Sequence, residues 1–253
     1  MGNKLKDLYE EHNIDKLRPG ARSDALGDVY EKFVKLIFSD QELVYKFNMG
    51  TVPSSTEEKV MYDVCRDFGI LFIESVNFPN VPKTDVGGEP KTDLCILING
   101  NTLVKATIKQ SRAREVTISE FDVASIVEGI GIKDPMTISL MEKHQRDASA
   151  KNFAPEEKEY LTNGMQIYKR ALVRWAISGA VDDSEDLRVA NYSINFRVDS
   201  NTNRFVNFVT HSIESLVDKI VKFKRGFNTG LSWTYATGTK GKKIQFKGPT
   251  FTH

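Results

Sequence analysis

Five apolar residues, Leu94 to Ile98, run into Asn99-Gly100-Asn101 and out again through Leu103-Val104-Lys105-Ala106-Thr107-Ile108. Asn-Gly between two strand-prone runs is a strong hairpin signal, because the tight turn that suits strand twist needs positive φ at both central positions. The two runs are therefore expected to pair antiparallel. Folding back about the turn sets Thr107 opposite Asp93, with Lys109 just beyond it. Side chains alternate along a strand, so Thr107 and Lys109 point the same way and converge on Asp93.

These residue types together suit one chemistry. Hydrolysis of a phosphodiester calls for a hard cation held by carboxylate and carbonyl oxygens, which polarises the phosphate and acidifies an attacking water. A lysine beside it can orient that water and offset the charge that builds on phosphorus. On this reading Asp93 and the Ile108 carbonyl hold the metal, with magnesium the expected cofactor, and Lys109 serves the water. A hairpin carrying an unrelated surface aspartate and lysine has the same pattern, and the hairpin alone does not separate the two.

Composition excludes several classes. A chain of 253 residues, 40% apolar and 27% charged, is long enough for one large domain with a full core. Cys65 and Cys95 both sit inside apolar patterns, which suits buried thiols in a reducing cytoplasm, and zinc-ligand spacing is absent. The charged N-terminus and the lack of a long apolar run argue against secretion and membrane spanning.

Charge is unevenly spread. The net value is +1, yet no Asp or Glu follows Asp218, while Lys219, Lys222, Lys224, Arg225, Lys240, Lys242, Lys243 and Lys247 do. A basic end on an acidic body is expected where the end faces a polyanion, and a solvated lysine-rich terminus gives the same count. Interleaved aromatics distinguish this segment from a disordered tail. It reads as a hairpin, Leu231 to Ala236 and Lys243 to Lys247, around a turn from Thr237 to Gly241. Such a ribbon can enter a major groove, where lysine donates to guanine, glutamine pairs with adenine and hydroxyls adapt. Lys222, Lys224 and Arg225 then suit phosphates.

The rest reads as a mixed α/β scaffold forming a single domain over residues 1–253, with residues 219–253 as its recognition segment. Ser23 is expected to cap a helix whose Leu26, Val29, Tyr30, Phe33, Val34 and Ile37 share a face, leaving Glu31 at the edge of that stripe. Ser55 and Glu58 form a capping box for a second helix that stops at Gly69. Gly69 to Phe78 reads as a strand. Gln110 to Arg114 reads as a polar connection, able to cradle a phosphate, into a helix capped near Ser119. Pro135 and Pro155 open two further helices. Strands are expected near Val189 to Val198 and Arg204 to Thr210, before a helix capped at Ser212. His144 is read as structural or solvated, with a DNA contact as the alternative.

The runs Ser23 to Gly27, Tyr30 to Phe33, Gly87 to Asp93, Lys143 to Lys151 and Gly226 to Gly248 resemble, in order, the MspI-type family of type II restriction endonucleases. The resemblance implies a PD-(D/E)xK fold, a central mixed β-sheet flanked by helices, and double-strand cutting of DNA at CCGG. It places Asp93 at the metal-binding aspartate, Lys109 at the catalytic lysine and Glu31 at a helix glutamate near the active centre. It assigns base reading to Thr234, Thr237, Gln245 and Lys247, with Thr117 assisting; Gln110, Arg112, Lys240 and Lys243 are the further candidates for DNA contact. It also implies a bacterial cytoplasmic enzyme, a monomer or weak dimer, whose sites a cognate DNA methyltransferase protects.

The sequence departs from that family at two places. Thr107 stands where the wider superfamily has Glu or Asp and these enzymes an Asn, so the second metal ligand is neutral and magnesium should bind more weakly. Gln110 replaces a histidine beside the lysine. A catalytically impaired, sequence-specific DNA-binding protein of the same fold is the alternative that these changes leave open.

Overall fold

The structure is a computed structural model describing residues 4–84, 89–236 and 241–252; Gly87, Gly88, Thr237 and Lys240 lie outside the described residues. In chain order the elements are helices α1 (Lys4–Glu11), α2 (Pro19–Ser39), α3 (Gln41–Asn48) and α4 (Thr56–Asp67), strands β1 (Val76–Asn77), β2 (Leu94–Ile98), β3 (Thr102–Ser111) and β4 (Glu115–Phe121), then α5 (Val123–Ile130), α6 (Pro135–Asp147) and α7 (Pro155–Ser178). Strands β5 (Tyr192–Val198) and β6 (Phe205–Ser212), helix α8 (Ile213–Ile220), and strands β7 (Ser232–Thr234) and β8 (Ile244–Pro249) complete the chain. They form two compact units, the first comprising residues up to Arg112 with Ala190–Ser212 and Thr252. The second holds Ala113–Val189 and Ile213–Phe251.

The first unit is built on a five-stranded mixed sheet in the order β1-β2-β3-β5-β6. Its hairpin forms as expected, with Leu94 facing Ala106 and Ile98 facing Thr102. Asn99 and Gly100 adopt φ of 53° and 70°, and the Asn101 N–H donates to the Ile98 carbonyl at 3.3 Å. Only a residue tolerant of the left-handed region fits either turn position. Strands β3 and β5 run parallel, so Thr107 lies beside Ser193 and Lys109 beside Asn195. Helix α2 covers one face of the sheet, with Tyr30 stacked on Phe196 at 4.4 Å between ring centroids. Its stripe from Leu26 to Phe38 is fully buried, which fixes the height of Glu31 on the neighbouring turn.

The second unit carries a three-stranded antiparallel sheet in the order β4-β8-β7 and helices α5 to α8. The C-terminal hairpin pairs Trp233 with Phe246 and Thr234 with Gln245. Pro135 and Pro155 each open a helix, as expected. Arg174, only 4% exposed, donates to Glu214 at 2.6 Å and to Asp183 at 2.5 Å, tying α7 to α8 and the following loop.

Four local expectations need correction. Helix α2 begins at Pro19, whose fixed φ suits a first turn, so Ser23 lies inside the helix and its hydroxyl accepts from Gln110 instead. Residues 115–121 form strand β4; a bulge between Thr117 and Ser119 interrupts the alternation that would have revealed it. The next helix is capped by Asp122, which accepts from the Ser125 N–H at 2.8 Å. Of Gly69 to Phe78 only Val76–Asn77 pairs as strand, because side-chain amides take over the ladder's role: Asn48 bonds both backbone groups of Ile73, and Asn99 bonds Phe72 and Glu74.

Candidate active site

The end of the β2–β3 hairpin builds the site. Asp93 precedes β2, and one of its oxygens, Oδ2, receives three donors from β3: the Thr107 hydroxyl at 3.2 Å, the Ile108 N–H at 2.6 Å and the Lys109 amine at 3.1 Å. The Asp93 N–H donates in turn to the Ala106 carbonyl at 2.9 Å. These bonds lock the carboxylate against the strand. They leave Oδ1 without a hydrogen bond among the described residues. Thr107 is buried, whereas the Asp93 and Lys109 side chains keep 18% and 31% of their surface exposed, enough to meet a ligand.

Glu31 is held close enough to feel this carboxylate. Burial pushes its carboxyl up to about 7, the Asp93 charge adds to the rise, and Lys109 opposes it. Lys91, two residues before Asp93, is pulled down to about 8 by burial and by the charge of Lys109. A cleft of about 590 Å³ opens here, lined by Asp28, Glu31, Lys35, Glu89, Thr92 and Asp93 among others. The acids Asp28 and Glu89 and the lysine Lys91 carry no sequence signal of their own, since their relevance comes from proximity to Asp93.

Among the described residues no cluster of three or more His, Cys, Asp or Glu forms a ready cation cage. The donor set still fits magnesium, which binds through one or two carboxylates and completes its shell with water and substrate phosphate. Asp93 Oδ1 and the Glu31 carboxyl are the oxygens available, and a cation between them would offset both the burial that chiefly raises Glu31 and the Asp93 charge that adds to the rise. Within a strand, a residue's N–H and C=O face the same side. Ile108 therefore turns its carbonyl to the Asp93 side as well, while the Thr107 hydroxyl supplies a neutral oxygen.

Gln110 and Arg112 lie elsewhere. Gln110 is in register with Phe196, on the face that α2 covers, and its amide donates to the Ser23 hydroxyl at 3.1 Å. Arg112 has Nε and Nη2 buried with no partner among the described residues. Neither side chain joins the Asp93 cluster.

The remaining candidates gather on one sheet of the second unit. Thr117 faces Lys247, and Thr234 faces Gln245; directly opposed residues in antiparallel strands share a face. The opposite face carries buried Ile244 and Phe246, so the alternation along β8 separates a core side from a polar side. Lys243 is exposed at the start of β8. Trp233 and Tyr235 are packing residues: the Trp233 ring lies against Phe246 and His144, and the Tyr235 hydroxyl bonds His144 Nδ1 at 2.6 Å. His144 is thus structural, 4% exposed in an aromatic cage.

Residues 10–248 match the family model described as restriction endonuclease MspI. The chain belongs to the MspI restriction endonuclease family. It is 34% identical to the type II restriction enzyme MspI of Moraxella sp, covering 96% of this chain and 98% of that protein. It is 26% identical to the type II restriction enzyme BsuFI of Bacillus subtilis over 97% of this chain and 64% of that longer protein. The crystal structure of MspI in complex with its cognate DNA superposes with a TM-score of 0.84 at 33% identity, covering 97% of this chain and 99% of that one. As an MspI-family member the chain has the restriction-endonuclease-like fold and is a type II site-specific deoxyribonuclease.

Proposed function

We propose that this protein makes magnesium-dependent cuts in both strands of duplex DNA at a short palindrome, CCGG. The observation that carries the reading is the convergence of Thr107, Ile108 and Lys109 on Asp93, in a chain whose relatives are site-specific nucleases. The two units serve as one endonuclease domain: the first cleaves, and the polar face of β4, β8 and β7 reads bases.

In this mechanism Asp93 and the Ile108 carbonyl would hold the cation, with Glu31 and Thr107 as neighbouring oxygens. Bound magnesium supplies positive charge to the phosphate and makes an adjacent water more acidic. Lys109, fixed by Asp93, orients that water and stabilises the negative charge that develops on the phosphate oxygens. Thr117, Thr234, Gln245 and Lys247 meet base edges, and Thr237 and Lys240 extend that set in the turn. Lys243, Arg112 and Gln110 are assigned to the backbone or to supporting roles. The enzyme acts in a bacterial cytoplasm, as a monomer or weak dimer, beside a methyltransferase that protects the same sequence.

The test is digestion of a duplex carrying one CCGG against a matched duplex without it. Cleavage should require both magnesium and the site, and Asp93→Ala should remove it while leaving cognate binding measurable by gel shift. Cleavage that survives Asp93→Ala, or that ignores the site, refutes the proposal.

A further inference from the structure

Glu120 is an acid on the sheet face proposed to read bases, where phosphate charge disfavours a bare carboxylate. It pairs with Gln245 across β4 and β8, next to the Thr117–Lys247 pair, and so shares their face. The other acid there, Glu115, is ion-paired with Arg225. Glu120 makes no ion pair among the described residues; its Oε1 instead accepts from Gln245 Nε2 at 2.5 Å. At the other end of the same amide, the Thr234 hydroxyl lies 3.2 Å from Gln245 Oε1 and 3.1 Å from the Gln245 carbonyl, and its single proton is shared between these two acceptors.

The chemistry of these partners fixes the amide's direction. An ionised carboxylate only accepts, so the end of Gln245 that meets Glu120 must be the NH2 group. A glutamine left unheld can turn over and offer donor or acceptor at the same place, matching more than one base edge. Held at both ends, Gln245 retains one outward N–H and one outward oxygen lone pair in a set order.

We propose that Glu120 is a specificity-determining positioning residue, which acts through Gln245 by fixing the order of donor and acceptor that the amide presents to the major groove. This rests on the assignment of the three-stranded sheet as the base-reading surface.

The experiment is kcat/KM for Glu120→Gln on a cognate duplex and on each duplex with one base pair replaced. The introduced amide can itself donate or accept, so it no longer dictates the orientation of Gln245. Discrimination should fall roughly tenfold at one base-pair position, the scale of one good bidentate contact, and hold at the others. Gln245→Ala should show the same loss, and the double variant no further loss, because a residue acting only through another adds nothing once that other is gone. Glu120→Ala gives the same pattern if the effect is orientation, and equal melting temperatures keep it separate from unfolding. Wild-type discrimination in Glu120→Gln overturns the role, as do losses that multiply in the double variant, which mean that Glu120 reads a base itself. Should the wild-type protein make no site-specific cuts, the base-reading surface fails and the role of Glu120 falls with it. Discrete wild-type cuts together with intact discrimination in Glu120→Gln remove the role of Glu120 alone.

Discussion

Thr107 stands beside Asp93 at the position where the family resemblance leads one to expect an acid or an amide. Its hydroxyl donates to Asp93 at 3.2 Å, so it supports the carboxylate while contributing no charge. Thr107→Asp should therefore lower the magnesium concentration for half-maximal cleavage, by roughly tenfold, because cation affinity rises with the charge of the ligand set. A half-point that stays the same or moves upward in the variant would contradict a ligand role for position 107. Asp93 and Lys109 were legible from the hairpin because strand pairing and alternation are local rules. Lys91 was not, since its lowered pKa arises from burial, which a sequence does not display. Glu120 was missed for a related reason: it fell in the first turn of a helix expected to be capped near Ser119, where the chain instead forms strand β4.

At the level of elements, the aromatic cage around His144 ties α6 to the β7–β8 hairpin. Burial pushes the His144 imidazole down to about 4, with Asp147 opposing. The folded protein thus binds this proton less readily than the unfolded chain, whose histidine titrates near 6.5. Stability from the neutral ring is complete above that value and is lost as pH falls through about 4. The loss should reach about 3 kcal/mol at most. Urea unfolding between pH 7 and pH 4, compared for wild type and His144→Gln, checks this: the difference in slope should vanish if the ring is not protonation-sensitive. Most helices were readable from spacing and from Pro135, Pro155, Ser55 and Glu58, which act within one turn. Strand β4 was not, because its bulge shifts the alternation and its pairing partner lies far along the chain.

For the molecule as a whole, the two units are interleaved along the chain, with crossings near Arg112, Val189 and Ser212. No shift in composition marks those points, so sequence gave no reason to divide the chain. Charge was more legible: eight basic side chains and no acid follow Asp218. Lys222 and Lys224 are exposed and are expected to meet phosphates. Replacing both with Gln should weaken cognate and non-cognate binding alike and flatten the slope of log K against log salt by about 2. A change confined to cognate DNA would instead make them base readers. The most direct test of the central claim is to sequence the ends of plasmid DNA digested to completion. The account predicts that every end falls within CCGG on both strands, that chelating magnesium prevents cutting, and that Lys109→Ala yields no ends above background. Ends scattered through other sequences, or the same ends from Lys109→Ala, would contradict it.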